Sequence, residues 1–68
     1  MKLSARNQFV GKVIEISEGA VNSVVKVELE GVEVISSTIT CEAVKELGLT
    51  IDKDVTAIVK ATEVMVMA

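Results

Sequence analysis

The alternation of apolar and polar residues over positions 21–30 constrains the fold of this chain more than any other feature. The odd positions are apolar or small and the even ones mostly polar or charged: Val21, Ser23, Val25, Val27 and Leu29 against Asn22, Lys26, Glu28 and Glu30, with Val24 as the exception. A period of two is typical of a strand that packs one face on a core and leaves the other in water. The segment therefore predicts a half-buried strand of an antiparallel sheet.

Four further stretches rich in valine and isoleucine also predict strands, at residues 8–16, 32–39, 55–60 and 63–67. Gly11 lies inside the first of them, where glycine often marks a bulge or a sharp bend. Residues 40–49 predict a short helix instead, with Thr40 as its N-cap and Gly48 at its end. Five strands with one short helix between the third and the fourth is the order of a small OB-like barrel, so we expect a mainly β fold of that kind.

The small size of the chain predicts an oligomer. A chain of 68 residues forms one domain at most, and such a domain is marginally stable alone. Cys41 is the only cysteine and histidine is absent, so neither an intrachain disulfide nor a typical zinc site can reinforce the fold. Half of the residues are hydrophobic, at 50%, and the last two predicted strands are apolar on both faces. We therefore expect another subunit to cover one of these faces.

Charge and composition argue against several functions. The net charge is −3 and Phe9 is the only aromatic residue, whereas nucleic-acid binding needs a basic surface and usually aromatic stacking platforms. No stretch reaches the roughly 18 apolar residues of a membrane span, and no signal-peptide pattern is present. The single cysteine fits a reducing cytoplasm. Without histidine, a nucleophile–base pair or a glycine-rich phosphate motif, we expect no enzymatic activity.

Three short segments are rich in hydrogen-bond donors and contain no carboxylate: SARNQ at 4–8, GAVNS at 19–23 and KAT at 60–62. Hydroxyls, amides, basic side chains and backbone N–H groups are the groups that bind a tetrahedral oxyanion. Glu63 follows the third segment, but alternation along a strand predicts that its side chain lies on the opposite side from Thr62. Taken one at a time, the segments are more simply explained as a polar strand edge, a turn and a hairpin junction.

Other polar residues have simpler explanations. Hydroxyl side chains precede the predicted helix, whose N-terminus could attract an anion, but N-capping by Thr40 is the simpler interpretation. We expect Cys41 to be partly buried and unreactive, since no base lies near it in sequence. We expect Glu42 and Glu46, four residues apart, to lie on a solvated face of the helix. The hydroxyl residues before the helix are Ser36, Ser37, Thr38 and Thr40.

In order and spacing, the segments SARNQFVGKV, GAVNSVVKVEL and VTAIVKATEVMV resemble the molbindin family, the small molybdate-binding Mop proteins. The same module occurs as the transport-associated OB (TOBE) domain of molybdate transporters and regulators. The resemblance extends over nearly the whole chain, including SSTIT and the AVKELGL helix, and implies one molbindin or TOBE-like OB domain over residues 1–68.

The resemblance also implies a ligand and an assembly. Similar proteins form hexamers, built as trimers of dimers, and bind molybdate or tungstate at subunit interfaces, with molybdenum present only as its oxyanion and no organic cofactor. Both dianions have nearly the same size and shape, so both are expected ligands. The implied oxyanion-binding residues are Ser4, Ala5, Arg6, Lys60, Ala61 and Thr62, with Ala20, Val21 and Asn22 from a neighbouring subunit.

Two hypotheses follow from these observations. The first is a cytoplasmic protein that stores or buffers molybdate or tungstate by reversible hydrogen bonding, with no nucleic-acid or membrane partner. The alternative is a ligand-free structural or interaction module whose apolar strands dock on a larger protein.

Overall fold

The computed structural model describes residues 7–30 and 33–68. Four strands form one antiparallel sheet in the order β3-β2-β1-β4. The first strand is long enough to pair with both of its neighbours, through residues 11–18 with β2 and through residues 7–12 with β4. The elements are β1 (Asn7–Glu18), β2 (Asn22–Leu29), β3 (Val34–Thr40), α1 (Cys41–Glu46) and β4 (Asp54–Val59), followed by a short 3-10 helix (Ala61–Glu63). The predicted mainly β fold is confirmed, as is the position of the helix between the third and fourth strands.

The core lies on the face of β2 that the alternation predicts. Val25 and Val27 of β2 are buried against Val13 of β1, and Ser23 is buried on the same face. Partly buried side chains from the sheet, the helix and the turn after it surround these residues: Ile16, Leu29, Ile35, Ile39, Val44, Leu49 and Val55. Few side chains of the described residues are fully buried, which fits the marginal stability expected of a chain this small.

The irregularity in β1 falls at Ile14, three residues beyond the position that the sequence suggests. The register between β1 and β2 shifts between Val13 and Glu15, so one extra residue makes a β-bulge there. Gly11 is buried where the two strands approach closely, because a Cβ at this position would lie 2.6 Å from the carbonyl oxygen of Glu28. Close packing therefore requires this glycine, and the bulge, one of the two features suggested for Gly11, lies at Ile14 instead.

The helix begins and ends as predicted. The hydroxyl of Thr40 accepts a hydrogen bond from the Ala43 N–H at 3.0 Å. Gly48 follows the last helical turn with a φ of 63°, and the Lys53 ammonium donates to the carbonyls of Leu47 and Gly48 at 2.8 and 3.2 Å. Both ends of α1 are thus capped by groups of the chain itself. Within the two described ranges, no helix has the length and apolar character that crossing a membrane requires.

The predicted fifth strand at residues 63–67 is not formed. Residues 61–63 make the 3-10 helix, and residues 64–68 have no regular structure. Met65, Val66 and Met67 are 94%, 91% and 96% exposed. A strand needs a neighbouring strand to accept its hydrogen bonds, and residues 64–68 have none among the described residues. β3 and β4 are therefore the edges of an open four-stranded sheet, which no further strand of residues 7–30 and 33–68 closes into a barrel.

Candidate oxyanion-binding site

Lys60, Ala61 and Thr62 form an exposed turn directly after β4. Lys60 is the N-cap of the 3-10 helix, and its carbonyl accepts the Glu63 N–H at 2.9 Å. The first N–H groups of any helix lack an acceptor within the helix. Accordingly, the N–H groups of Ala61 and Thr62 donate to no backbone carbonyl of residues 7–30 and 33–68. Two backbone donors and one ammonium group are therefore available in this turn.

Glu63 is not turned away from these donors, contrary to the prediction from strand alternation. A 3-10 helix has three residues per turn, so residues three apart lie on the same side. Lys60 and Glu63 have this spacing, and both line the same open cleft. The ion pairs of the described residues, Lys12–Asp54 and Lys26–Glu15, involve neither of them. The alternation argument fails because the strand on which it depends is absent.

The second donor segment is the hairpin turn between β1 and β2, residues 19–22. The Gly19 N–H closes the turn by donating to the Asn22 carbonyl at 2.9 Å. A Cβ at Gly19 would lie only 2.5 Å from the same oxygen, so the turn in this form requires glycine. Ala20, Val21 and Asn22 are exposed, and the N–H groups of Ala20 and Val21 find no backbone acceptor in the described part of the chain. The turn thus offers two backbone donors beside the Asn22 amide.

The first residue of α1 holds this hairpin turn in place. The Cys41 N–H donates to the Val21 carbonyl at 2.7 Å, and its thiol donates to the Gly19 carbonyl at 3.3 Å. The thiol also lies 3.0 Å from the Ser23 hydroxyl, which is buried beneath the turn. Cys41 is partly buried, as predicted, but its role in supporting the turn was not predicted. The available signal was Ser23, a polar residue on an otherwise apolar face.

The helix N-terminus is not a competing donor site. Thr40 is its N-cap, as the simpler interpretation of the sequence predicts, and the Cys41 N–H is already bonded to Val21. Ser36, Ser37 and Thr38 are exposed along β3, and Glu42 and Glu46 form the expected solvated face. The candidate metal-binding groups of the described residues do not cluster.

β1 holds the two described donor segments apart. Its first residue, Asn7, pairs with Val59, which directly precedes Lys60. Its last residue, Glu18, pairs with Ser23 and directly precedes the hairpin turn. At about 3.3 Å per residue, the strand measures roughly 35 Å along its length. The structure therefore does not bring residues 20–22 and 60–62 of one chain together. Ser4, Ala5 and Arg6 lie outside the described residues.

Comparison with known proteins gives consistent matches over the whole chain. The model of the TOBE domain family matches residues 3–66. The chain is 53% identical, over 66 residues, to a probable molybdenum-pterin-binding protein of Haemophilus influenzae, covering 97% of this chain and 96% of the relative. The structure superposes on a molybdate-binding protein from Sporomusa ovata with a TM-score of 0.93 and 37% identity, covering all of both chains. It also matches ModG, described as a cytoplasmic molybdate-binding protein, with a TM-score of 0.87 and 46% identity over 90% of this chain and 43% of that one.

Proposed function

This chain belongs to the TOBE domain family and, within it, to the molbindins, and we propose that it binds molybdate or tungstate where two copies of the chain meet. The anion is held reversibly by hydrogen-bond donors, and no covalent bond is made or broken. One copy contributes residues at the start of the chain and after β4, and the other contributes its hairpin turn. The proposed residues are Ser4, Ala5, Arg6, Lys60, Ala61 and Thr62 from one copy, and Ala20, Val21 and Asn22 from the other.

The chemistry of the ligand supports this choice of residues. Molybdate is a dianion with four acceptor oxygens and, at neutral pH, no proton to donate, so a suitable site consists of donors. The described turns supply free N–H groups at Ala20, Val21, Ala61 and Thr62, together with the Lys60 ammonium. Hydrogen bonds to an ionised acceptor are roughly twice as strong as neutral ones. The net charge of −3 does not prevent binding, because distant surface charges are screened within about 8–10 Å.

The position of donors at both ends of β1 is the observation that carries this proposal. The pair Asn7–Val59 ends the β1–β4 ladder. Residues 4–6 directly precede Asn7, and residues 60–62 directly follow Val59. The hairpin turn lies at the opposite end of the strand. The two groups of donors thus adjoin opposite ends of one strand, whereas two copies can place the end of one against the opposite end of the other. A homo-oligomer is therefore part of the proposal, and the hexamer of three dimers is the assembly we expect.

Storage or buffering of the oxyanion in the cytoplasm is the role we propose. The similarity to ModG, described as a cytoplasmic molybdate-binding protein, supports the location. The relative from H. influenzae is named for a molybdenum–pterin ligand, but we propose the inorganic oxyanion alone. The candidate turns offer no aromatic side chain on which a pterin ring could stack, and Phe9 is the only aromatic residue of the chain.

Calorimetric titration of the ligand-free protein with molybdate, tungstate, sulfate and phosphate tests the proposal. We expect saturable binding of molybdate and tungstate. Phosphate should bind more weakly, because at neutral pH it carries a proton that a site composed of donors cannot accept. Absence of any heat with millimolar molybdate would refute the proposal. A co-purifying protein partner together with no bound molybdenum would instead support the ligand-free interaction module, and a pterin released on denaturation would contradict the inorganic ligand.

A further inference from the structure

A buried hydroxyl lies beneath the hairpin turn at residues 19–22. Ser23 is only 1% exposed, and its neighbours on the same face of β2, Val25 and Val27, belong to the apolar core. An apolar side chain would suit this position, because burying a hydroxyl is costly unless it forms a hydrogen bond. Its partner is the sulfur atom of Cys41 at 3.0 Å, and sulfur is a weak acceptor. Ser23 therefore adds little to the stability of the core, and its hydroxyl serves the thiol that it contacts.

The hydrogen atoms of these two side chains can be assigned. The Gly19 carbonyl can only accept, so the single thiol proton of Cys41 is donated to it, at 3.3 Å between Sγ and the oxygen. The sulfur then offers only its lone pairs, so the Ser23 hydroxyl donates to it. The hydrogen bonds thus run from the Ser23 hydroxyl to the Cys41 thiol and from this thiol to the Gly19 carbonyl. We call this arrangement the hydroxyl–thiol chain.

The carbonyl oxygens of the hairpin turn are directed at donors within the protein. The Val21 carbonyl accepts the Cys41 N–H at 2.7 Å, and the Asn22 carbonyl accepts the Gly19 N–H at 2.9 Å. The Gly19 carbonyl accepts the thiol. Each of these oxygens carries a partial negative charge that would repel an anion. Their engagement within the chain therefore favours an anion on the exposed side of the turn.

The peptide unit between Gly19 and Ala20 shows what this means for the donors. The C=O and N–H of a planar trans peptide unit point in opposite directions, and no cis peptide bond occurs in residues 7–30 and 33–68. Because the Gly19 carbonyl is directed at the Cys41 thiol, the Ala20 N–H is directed away from it. This N–H is one of the proposed donors to the oxyanion, and Ala20 is exposed. The hydroxyl–thiol chain therefore determines the direction of a donor that it does not touch.

We propose that Ser23 and Cys41 are positioning residues of the oxyanion site, which hold the Gly19–Ala20 peptide unit with its N–H towards the anion. The inference rests on the proposed function and deepens it. Neither side chain is itself a donor to the anion, since both hydrogens are used within the chain. Without the thiol proton the peptide unit can rotate, because Gly19 has no side chain that restricts its backbone. A half-turn of this unit places the Gly19 carbonyl where the Ala20 N–H was, and an acceptor then faces the anion.

Calorimetric titration with molybdate tests this role on three single variants. Cys41→Ala removes the thiol proton, and Ser23→Ala removes the hydroxyl that donates to the sulfur. We expect each to weaken binding about two- to tenfold, which corresponds to the net contribution of one neutral hydrogen bond. Cys41→Ser keeps a donor and an acceptor at this position, so this conservative variant should bind molybdate as the parent does.

A double variant and a matched control separate positioning from general stability. If the hydroxyl acts only through the thiol, Ser23→Ala combined with Cys41→Ala weakens binding no more than the worse of the two single changes. Val27→Ala is the control, since Val27 is buried on the same face of β2 but lies away from the turn. It opens a cavity in the core, so it should lose at least as much stability as Ser23→Ala and still bind molybdate normally.

The backbone amide NMR signal of Ala20 gives a readout that a purely structural role would leave unchanged. In the parent, molybdate should shift the signals of Ala20, Ala61 and Thr62. In Cys41→Ala, the shift at Ala20 should be lost, whereas the shifts at Ala61 and Thr62 should remain, because those donors lie at the other end of β1.

The outcomes of these experiments are distinct. Normal binding by both Cys41→Ala and Ser23→Ala would overturn the inference, as would an equal loss of affinity in Val27→Ala or a Cys41→Ser variant as weak as Cys41→Ala. Any of these results in a protein whose parent binds molybdate refutes the positioning role alone. A parent that gives no heat with molybdate refutes the proposed function, and the positioning role with it. If Ser23→Ala does not fold, the comparison of Cys41→Ala with Cys41→Ser decides.

Discussion

Replacing Gly19 by alanine tests whether the hairpin turn belongs to the oxyanion site. The Gly19 N–H donates to the Asn22 carbonyl at 2.9 Å, and an alanine Cβ would lie 2.5 Å from that oxygen. This is well inside van der Waals contact, so the turn must open. The free N–H groups of Ala20 and Val21 then move, and the 2.7 Å hydrogen bond from the Cys41 N–H to the Val21 carbonyl is disturbed.

The expected loss of stability follows from three contributions. Loss of the turn hydrogen bond costs about 0.5–1.5 kcal/mol, and relief of the close contact costs about 1–3 kcal/mol. The lower entropy of the unfolded alanine chain offsets about 0.4–1 kcal/mol of this. We therefore expect the free energy of unfolding to fall by roughly 0.5–4 kcal/mol. Urea unfolding followed by far-UV circular dichroism measures it, at one protein concentration because the stability of an oligomer depends on concentration.

Binding of molybdate should fall at least tenfold, a loss of about 1.4 kcal/mol or more, as measured by calorimetric titration of the folded variant. Gly11→Ala is the matched control. Its Cβ would lie 2.6 Å from the Glu28 carbonyl and 2.8 Å from a Val27 methyl group, in the middle of the sheet and away from the proposed site. It should lose comparable stability but bind molybdate normally. Unchanged binding in folded Gly19→Ala, or equal loss in Gly11→Ala, would refute the assignment of the turn.

Four further substitutions test other parts of the structure. Lys60→Ala and Ser4→Ala should each weaken molybdate binding about ten- to a hundredfold in calorimetry, because each removes a donor to a charged ligand. Ser36→Ala lies outside the proposed site and is their control. Loss of binding only in this control would move the site to β3. Lys60→Glu should bind more weakly still, since it places a carboxylate against a dianion, and binding equal to that of Lys60→Ala would argue against contact at Lys60. Thr40→Ala should lower the free energy of unfolding by about 1 kcal/mol through loss of the N-cap, and an unchanged urea midpoint would contradict the 3.0 Å bond to Ala43.

Features that depend on neighbouring residues could be predicted from the sequence. The alternation in β2 indicated the buried face that holds Val25 and Val27, because side chains of a strand alternate between faces in any context. Thr40 and Gly48 marked the ends of α1 through local capping chemistry. Four of the predicted strands are present, with ends that differ by one or two residues.

Features that depend on distant contacts could not be predicted. Residues 63–67 have the composition of a strand, but a strand forms only where a partner edge is available, and the local sequence does not determine that partner. The predicted orientation of the Glu63 side chain was wrong for the same reason, because it assumed that this strand is present. Gly11 is required by its approach to Glu28, which depends on the pairing of β1 with β2. Cys41 supports a turn about twenty residues away in sequence, which no local pattern indicates.

The separation of donors along β1 has a thermodynamic consequence for the proposed function. Among the described residues, each end of the strand offers two free backbone N–H groups and only one or two polar side chains: Ala61, Thr62 and Lys60 at one end, and Ala20, Val21 and Asn22 at the other. Four oxygens of a dianion need more donors than either end supplies. A ligand that binds only where two ends meet stabilises the assembled form in proportion to the logarithm of its concentration. In a chain whose monomer buries so small a core, we therefore expect oxyanion binding and subunit assembly to support each other.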